Sequence, residues 1–321
     1  MRLNRPRKDK RVIAPASPPF RVLLISSSVL FLFVCVSCGH EPFKGRLTLS
    51  GSATLAPLVT KSAEEWKKLH PDVEVRIEAI GSDAGLERLI RYSDADLALL
   101  SRPLTEADRE GAATAGKVLI PLPLAWDAVC LVVPATNTWV RSLSRLQAAQ
   151  AFTSAVRWSD LDPAWPPLLI HRFALGPNSG TADVFAAAIF SSGNKSLLFA
   201  APEAQASEDD RILARGVAEV EGALGYLGWS TFRESDRALR VLAFEGVNPT
   251  PESIADHTYE LPRQLWLVAT RQSMASQPLA RSLVSFLYEH YSSLTTQTGL
   301  VPLTDGERQS AERTLNELRI P

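Results

Sequence analysis

Cysteine is scarce in this chain, three among 321 residues, and two of them, Cys35 and Cys38, lie at the end of an N-terminal apolar stretch. Cys130 is then alone in the body, and a lone thiol cannot form an internal disulfide. Set in Ala128-Val129-Cys130-Leu131-Val132-Val133, it reads as a buried strand residue and not as a nucleophile. The five histidines are scattered without metal-ligand spacing, so neither a metal nor any other cofactor is expected. Internal repeats and low-complexity segments are missing, as are the P-loop and the GxGxxG fingerprint, which counts against nucleotide binding. No Ser-His-Asp spacing or histidine–aspartate cluster offers an activated nucleophile, so a phosphatase or other enzyme is disfavoured.

Charge of one sign is also missing from the total, which is −1, but the average hides an asymmetry. Residues 1–37 carry seven Lys/Arg against Asp9 alone, leaving 27 basic and 34 acidic residues beyond them, a net of −7. A body of that sign is a poor partner for nucleic acid, and any anion it holds must be held by local geometry. The basic start is followed by an apolar run from Val22 to Val36, too short for a comfortable membrane span and interrupted by Ser26, Ser27 and Ser28. It ends in Ser37-Cys38-Gly39, which resembles the lipobox of bacterial lipoproteins, in which the cysteine is acylated and becomes the mature N-terminus. The expectation is a signal peptide over 1–37, a tether over 38–45 and a palmitate-bearing anchor at Cys38. The alternative is a signal anchor or an unmodified secretory signal.

Beyond the tether, Arg46–Ser50 reads as a strand, and residues 55–69 show helical spacing with Pro57 in the first turn. Val73–Ile80 alternates as a second strand, leads through Gly81-Ser82-Asp83-Ala84-Gly85 into a helix over Leu86–Tyr92, and is followed by an apolar strand, Asp96–Leu100. Steps of this kind predict parallel βαβ units. Leu119–Val133 is nearly continuous apolar sequence broken by Pro121, Pro123 and Asp127, read as a strand passing from one lobe into another. A helix over Leu143–Phe152, a strand over Leu168–Phe173, a helix after Thr181, a helix over Glu208–Val220 and a glycine-rich strand, Gly222–Gly228, fill the second lobe. Leu265–Ala269 returns to the first lobe, and Leu279–Tyr291 closes the chain as an amphipathic helix. The lobes are expected at 46–127 with 258–321, and at 128–257.

Three turns share one grammar: Ser50-Gly51-Ser52-Ala53-Thr54, Gly81-Ser82-Asp83-Ala84-Gly85 and Asn178-Ser179-Gly180-Thr181. Each leads from a strand into a helix, where unpaired N–H groups and a partial positive charge attract anions, and where hydroxyls add donors. Each alone is an ordinary helix cap. Facing one cleft, the three would form an oxyanion cradle needing little formal charge.

The turns and several further segments resemble the periplasmic phosphate-binding proteins of high-affinity phosphate ABC transporters. The resemblance covers nearly the whole mature chain. It is carried by Gly51–Leu58, Gly81–Gly85, Ser101-Arg102-Pro103-Leu104, Trp158-Ser159-Asp160 with Pro163–Pro166 (similar to an interlobe loop), Gly176–Asp183, Gly222–Gly228 and Gly299–Leu303. It implies a two-lobed α/β fold of type II with each lobe a mixed sheet flanked by helices. Inorganic phosphate would be bound in the cleft by an exported monomer anchored by lipid to a membrane and partnered with ABC permease subunits. Another tetrahedral oxyanion such as sulfate, or a sensing role without transport, is the alternative. By position, the resemblance implies ligand donors at Ser52, Thr54, Leu55, Ser82, Ser179, Gly180 and Thr181, with Arg102 as the fixed charge; a salt bridge at a strand end is the other reading of Arg102. Where some relatives place an acceptor carboxylate after the third strand, this chain has Ser101-Arg102, which leaves Asp183 or Asp83 as the acceptor. The segment Lys195–Ser207 lacks an arginine found in many relatives.

Overall fold

A computed structural model describes residues 44–199, 204–235 and 237–318. The expected signal peptide and most of the tether, Cys38 included, lie outside the described residues.

The chain begins with β1 (Gly45–Gly51), α1 (Ala56–Lys67), β2 (Val73–Ala79), α2 (Ser82–Glu87, running on as π-helix to Tyr92), β3 (Leu97–Leu100), α3 (Glu106–Thr114) and the 16-residue β4 (Leu119–Pro134). It continues with β5 (Ser142–Leu143), α4 (Arg145–Thr153), β6 (His171–Leu175), α5 (Gly180–Ile189), β7 (Gln205–Ser207), α6 (Asp210–Glu219), β8 (Ala223–Gly228), α7 (Trp229–Glu234), β9 (Leu239–Val241), β10 (Ala243–Phe244) and α8 (Pro251–Ala255). It ends with β11 (Pro262–Thr270), α9 (Arg271–Ser276), α10 (Pro278–Glu289), α11 (Tyr291–Gln297) and α12 (Asp305–Glu317).

The strands line up as β2-β1-β3-β11-β4-β8-β6-β7, with β9 also on β4. β1 is parallel to β2 and β3, whereas β11 is antiparallel to both β3 and β4. β4 belongs to two neighbourhoods. Leu119–Ala128 pairs with β11, and Val129–Val132 pairs with β8. Pro121 and Pro123 fall on the stretch where β4 is the outer strand beside β11, the place in a sheet where a missing N–H costs least.

Two separate apolar cores flank this sheet, and each defines a lobe. The first is built from Leu47, Leu49, Leu58, Val59, Trp66, Leu122, Leu267 and the inner face of α10, with a smaller cluster of Leu86, Leu89, Leu100 and Val268. The second gathers the Val129–Val133 half of β4 with Phe152, Trp158, Phe173, Phe185 and Tyr226. Cys130 is a fully buried free thiol in that core, and burial raises its pKa.

Most expected elements are present within a few residues, and the chain adds helices the sequence reading did not give, among them α3, α8 and α9; three further points matter here. The helix read as Leu86–Tyr92 begins at Ser82, because the second turn is already its first turn. Beyond α10 the chain adds α11 and α12, and Glu307 of α12 accepts from Trp126 Nε1 at 3.1 Å and Gln264 Nε2 at 3.0 Å. The Trp158–Asp160 segment lies in the second lobe, where the order of elements also places the Trp158–Pro167 loop, and not between the lobes as the resemblance implies. Trp158 is buried in the second core, edge-on to Trp139 at 4.9 Å, with Nε1 donating to the Gly222 carbonyl at 2.9 Å.

Candidate functional site

Each of the three turns sits between a parallel strand and a helix: β1 to α1, β2 to α2, and β6 to α5. Their backbones meet. Gly81 N–H donates to the Gly51 carbonyl at 3.0 Å, and across the seam between lobes Asp83 N–H donates to the Asn178 carbonyl at 3.0 Å. Gly180 packs so tightly that a Cβ there would lie 2.7 Å from Ser82 Oγ and 3.1 Å from the Arg102 backbone nitrogen. No residue but glycine permits that approach.

The hydroxyls turn inward. Ser82 Oγ accepts from Ser101 N–H at 3.0 Å, and Ser101 Oγ is hydrogen-bonded to Ser52 Oγ. Ser179 caps α5, accepting from Thr181 N–H at 3.2 Å and Ala182 N–H at 3.4 Å. Thr54 and Thr181, one from each lobe, both accept from a single guanidinium, that of Arg263: Nη2 to Thr54 Oγ1 at 3.1 Å, and Nη1 to Thr181 Oγ1. Leu55 turns its side chain into the first core, so only its backbone faces the turn.

Arg263 lies in β11 and is 2% exposed; its ionic partner Asp127, in β4, is 0% exposed. Asp127 Oδ2 accepts from Arg263 Nη2 at 2.6 Å and Nε at 3.1 Å, and Oδ1 accepts from Ser230 N–H at 3.0 Å. The fork is fixed on one side by a carboxylate and meets hydroxyls on the other, the arrangement that presents a guanidinium to an oxyanion. Close by, Asp210 at the start of α6 accepts from Gly228 N–H at 3.0 Å and Thr231 Oγ1 at 3.4 Å. Burial raises the Asp210 pKa, against the opposing pull of Arg263. The charge at the centre of the site is therefore a buried arginine, and helix termini do not act there alone.

Arg102 stands elsewhere. Its Nε and Nη2 donate to Asp83 Oδ1 at 3.0 and 2.7 Å, its Nη1 donates to Asp108 Oδ2 at 2.6 Å, and Asp183 Oδ2 lies 3.3 Å from Nε. Every guanidinium nitrogen is engaged by a carboxylate, which is the salt-bridge reading at the end of β3. Burial opposes its charge, but these carboxylates hold its pKa above the ordinary arginine value. Asp83 and Asp183, the two candidate acceptors, share Lys195 as a second cation, at 2.8 and 2.9 Å. Burial raises the Asp183 pKa in spite of Lys195.

The structure thus brings together Ser52, Thr54, Ser82, Ser179, Gly180 and Thr181, and sets Arg102, Asp83 and Asp183 in an adjoining ionic cluster. Arg263, Asp127, Ser101, Lys195 and Asp210 are additions. One of them carried a signal: Asp127 is the only charge in the apolar Leu119–Val133 run, and a lone charge on a buried strand requires a partner. Nothing in the sequence pattern pointed from it to Arg263, 136 residues away.

A profile of the PBP superfamily domain matches residues 37–290. Protein SphX of Synechococcus elongatus is 30% identical over 269 residues, covering 80% of this chain and 77% of that protein. Phosphate-binding protein PstS of Staphylococcus haemolyticus is 24% identical over 267 residues, covering 81% and 82%. Among solved structures, an ABC-type phosphate transport receptor from Vibrio cholerae superposes with a TM-score of 0.62 at 25% identity, over 80% of this chain and all of that one. A phosphate binding protein from Stenotrophomonas maltophilia superposes with a TM-score of 0.66 over 84% of this chain and 93% of that one; at 15% identity it speaks for the fold alone. With two lobes strung on shared strands, three strand-to-helix turns at the seam and this agreement over most of its length, the chain belongs to the PBP superfamily.

Proposed function

We propose that this protein binds inorganic phosphate with high affinity between its lobes, outside the cytoplasmic membrane, and delivers it to an ABC-type phosphate importer. The observation that carries the reading is the convergence of Thr54 and Thr181, from opposite lobes, on one buried guanidinium that Asp127 fixes. Phosphate seated there would exchange those internal hydrogen bonds for its own. It would accept from Arg263, from the hydroxyls of Ser52, Thr54, Ser82 and Thr181, and from backbone N–H groups at Leu55, Gly180 and the start of α5. Ser179 holds the α5 turn in place. An anion contacting both lobes stabilises the closed form by as much as its affinities for open and closed forms differ, and that closure is what a permease can read. The family is one of solute-binding proteins, not enzymes.

The lobes are proposed to divide at 46–127 with 258–321, against 128–257, with the protein working as an exported monomer. Lipid attachment at Cys38 is proposed from Ser37-Cys38-Gly39 after the apolar run; several acyl chains hold a protein at a membrane where one does not.

Titration calorimetry on ligand-stripped protein tests the reading. Phosphate is expected to bind at micromolar or tighter concentration, sulfate to compete poorly, and Arg263→Met to lose binding by at least about a hundredfold, roughly 2.7 kcal/mol. Preference for sulfate, binding of neither ion, or an Arg263→Met variant that binds like the wild type would each overturn it.

A further inference from the structure

Arg102, Asp83, Lys195 and Asp183 form a closed ring of alternating charge. Arg102 pairs with Asp83 at 2.7 Å, Asp83 with Lys195 at 2.8 Å, Lys195 with Asp183 at 2.9 Å, and Asp183 with Arg102 at 3.3 Å. Arg102 follows β3, and Asp83 is in α2, both in the first lobe; Asp183 is in α5 and Lys195 opens the 3₁₀ turn after it, both in the second. Two sides of the ring therefore lie within a lobe, and two cross the seam.

That division has a mechanical meaning. Of the four pairs in the ring, separating the lobes breaks two, Asp83–Lys195 and Asp183–Arg102. Each member of the ring keeps a partner within its own lobe: Lys195 stays with Asp183, and Arg102 stays with Asp83 and also with Asp108 at 2.6 Å. Closing adds two ion pairs at little extra cost, because each partner has already been oriented by its own lobe. The side chains are 9–31% exposed, which places the ring between a buried pair and a surface one, where ion pairs contribute measurably and salt still screens them.

We infer that Lys195 is a positioning residue: with Asp83, Asp183 and Arg102 it forms an ionic latch that biases the two lobes toward the closed form without touching the ligand. The latch rests on the phosphate-binding reading only for its affinity readout. It sets how long the closed form lasts, so it acts on ligand release more than on capture.

The test compares wild type with Lys195→Met, which keeps the length of the side chain without its charge, and with Lys195→Arg, which restores it. Small-angle X-ray scattering of phosphate-free protein reads the lobes directly. The wild type is expected to expand as NaCl rises from about 50 mM to about 1 M. Lys195→Met should already be expanded at low salt and respond little, and Lys195→Arg should follow the wild type. In stopped-flow measurements, phosphate should leave Lys195→Met about tenfold faster with association nearly unchanged. A Lys195→Met protein as compact as the wild type, with the same salt response, overturns the latch, as does unchanged release. If the wild type binds no phosphate, the scattering arm alone decides, and the latch and the phosphate reading fail separately. Should Lys195→Met not fold, Asp83→Asn removes the same cross-seam pair from the other side and carries the same expectations.

Discussion

Two buried carboxylates lie near Arg263 and do different things. Asp127 takes the guanidinium's hydrogen bonds; Asp210 takes a backbone N–H and a threonine hydroxyl instead. Burial raises the Asp210 pKa above the ordinary aspartate value, so the folded protein holds its proton more tightly than the unfolded chain does. Below the ordinary value the acid is neutral in both states, and folding suffers no loss. As pH rises through the window between the ordinary and the raised value, the unfolded chain ionises freely and stability is lost. Asp210→Asn is neutral throughout and escapes that loss. Its stability relative to the wild type should therefore improve as pH rises above the ordinary aspartate value of about 3.9, measured in urea titrations. A difference that stays constant with pH would show that Asp210 ionises in the fold as freely as in the unfolded chain. The contrast between the two aspartates was only half legible in the sequence: Asp127 stood out in an apolar run, whereas nothing in Glu208-Asp209-Asp210 at a helix start set Asp210 apart.

At the scale of elements, the turns were legible because their signals are local. Glycine and hydroxyl residues between an alternating strand and a helical pattern give the junction; Ser179 caps α5 as such a residue should, whereas α1 and α2 start at Leu55 and Gly81 without a side-chain cap. What they meet across the seam is set by packing between distant segments, which periodicity does not encode. The same limit hid the role of β11: Leu265–Ala269 was readable as a strand, but its first residues, with Arg263 among them, lie before the apolar run begins. Gly180 supplies a test at this scale. It is the first residue of α5, where alanine is at least as good a helix former, so Gly180→Ala should unfold within about 1 kcal/mol of the wild type. Its Cβ would nonetheless press on Ser82 Oγ and the Arg102 backbone across the seam. Phosphate affinity should fall by about tenfold or more while the unfolding midpoint holds, measured by calorimetry and circular dichroism on the same preparation. Loss of both together would mean that the contact supports the fold and not closure.

For the whole molecule, the order of elements was enough to give the class, α/β, because strand and helix patterns alternate along the chain, while the two-lobed type II arrangement came with the family resemblance. The site's net charge balance was not recoverable that way: an acidic body hides one buried arginine as readily as a surface one. Attachment is a property of the whole chain as well. No helix among the described residues is long and apolar enough to cross a membrane, so retention would fall to the N-terminal segment. Expressed in a bacterium that processes lipoproteins, the wild type should sediment with membranes and incorporate labelled fatty acid, and Cys38→Ser should lose the label. Equal labelling of the two would place the acyl group elsewhere or remove it from the account.

The position of β11 between β3 and β4 has a consequence for how the protein is made. A chain emerging from its N-terminus delivers β1, β2 and β3 early, but the strand that must lie between β3 and β4 is complete only at Thr270. Until then β3 and the Leu119–Ala128 stretch of β4 lack their shared neighbour, while β6, β7 and β8 can already assemble beside the rest of β4. The lobe begun first is finished last, and Arg263, arriving with β11, meets Asp127 only then. The binding centre is thus wired in only once β11 has arrived, so a chain cut short before Pro262 has all three turns and the Asp127 carboxylate but lacks the guanidinium that joins them.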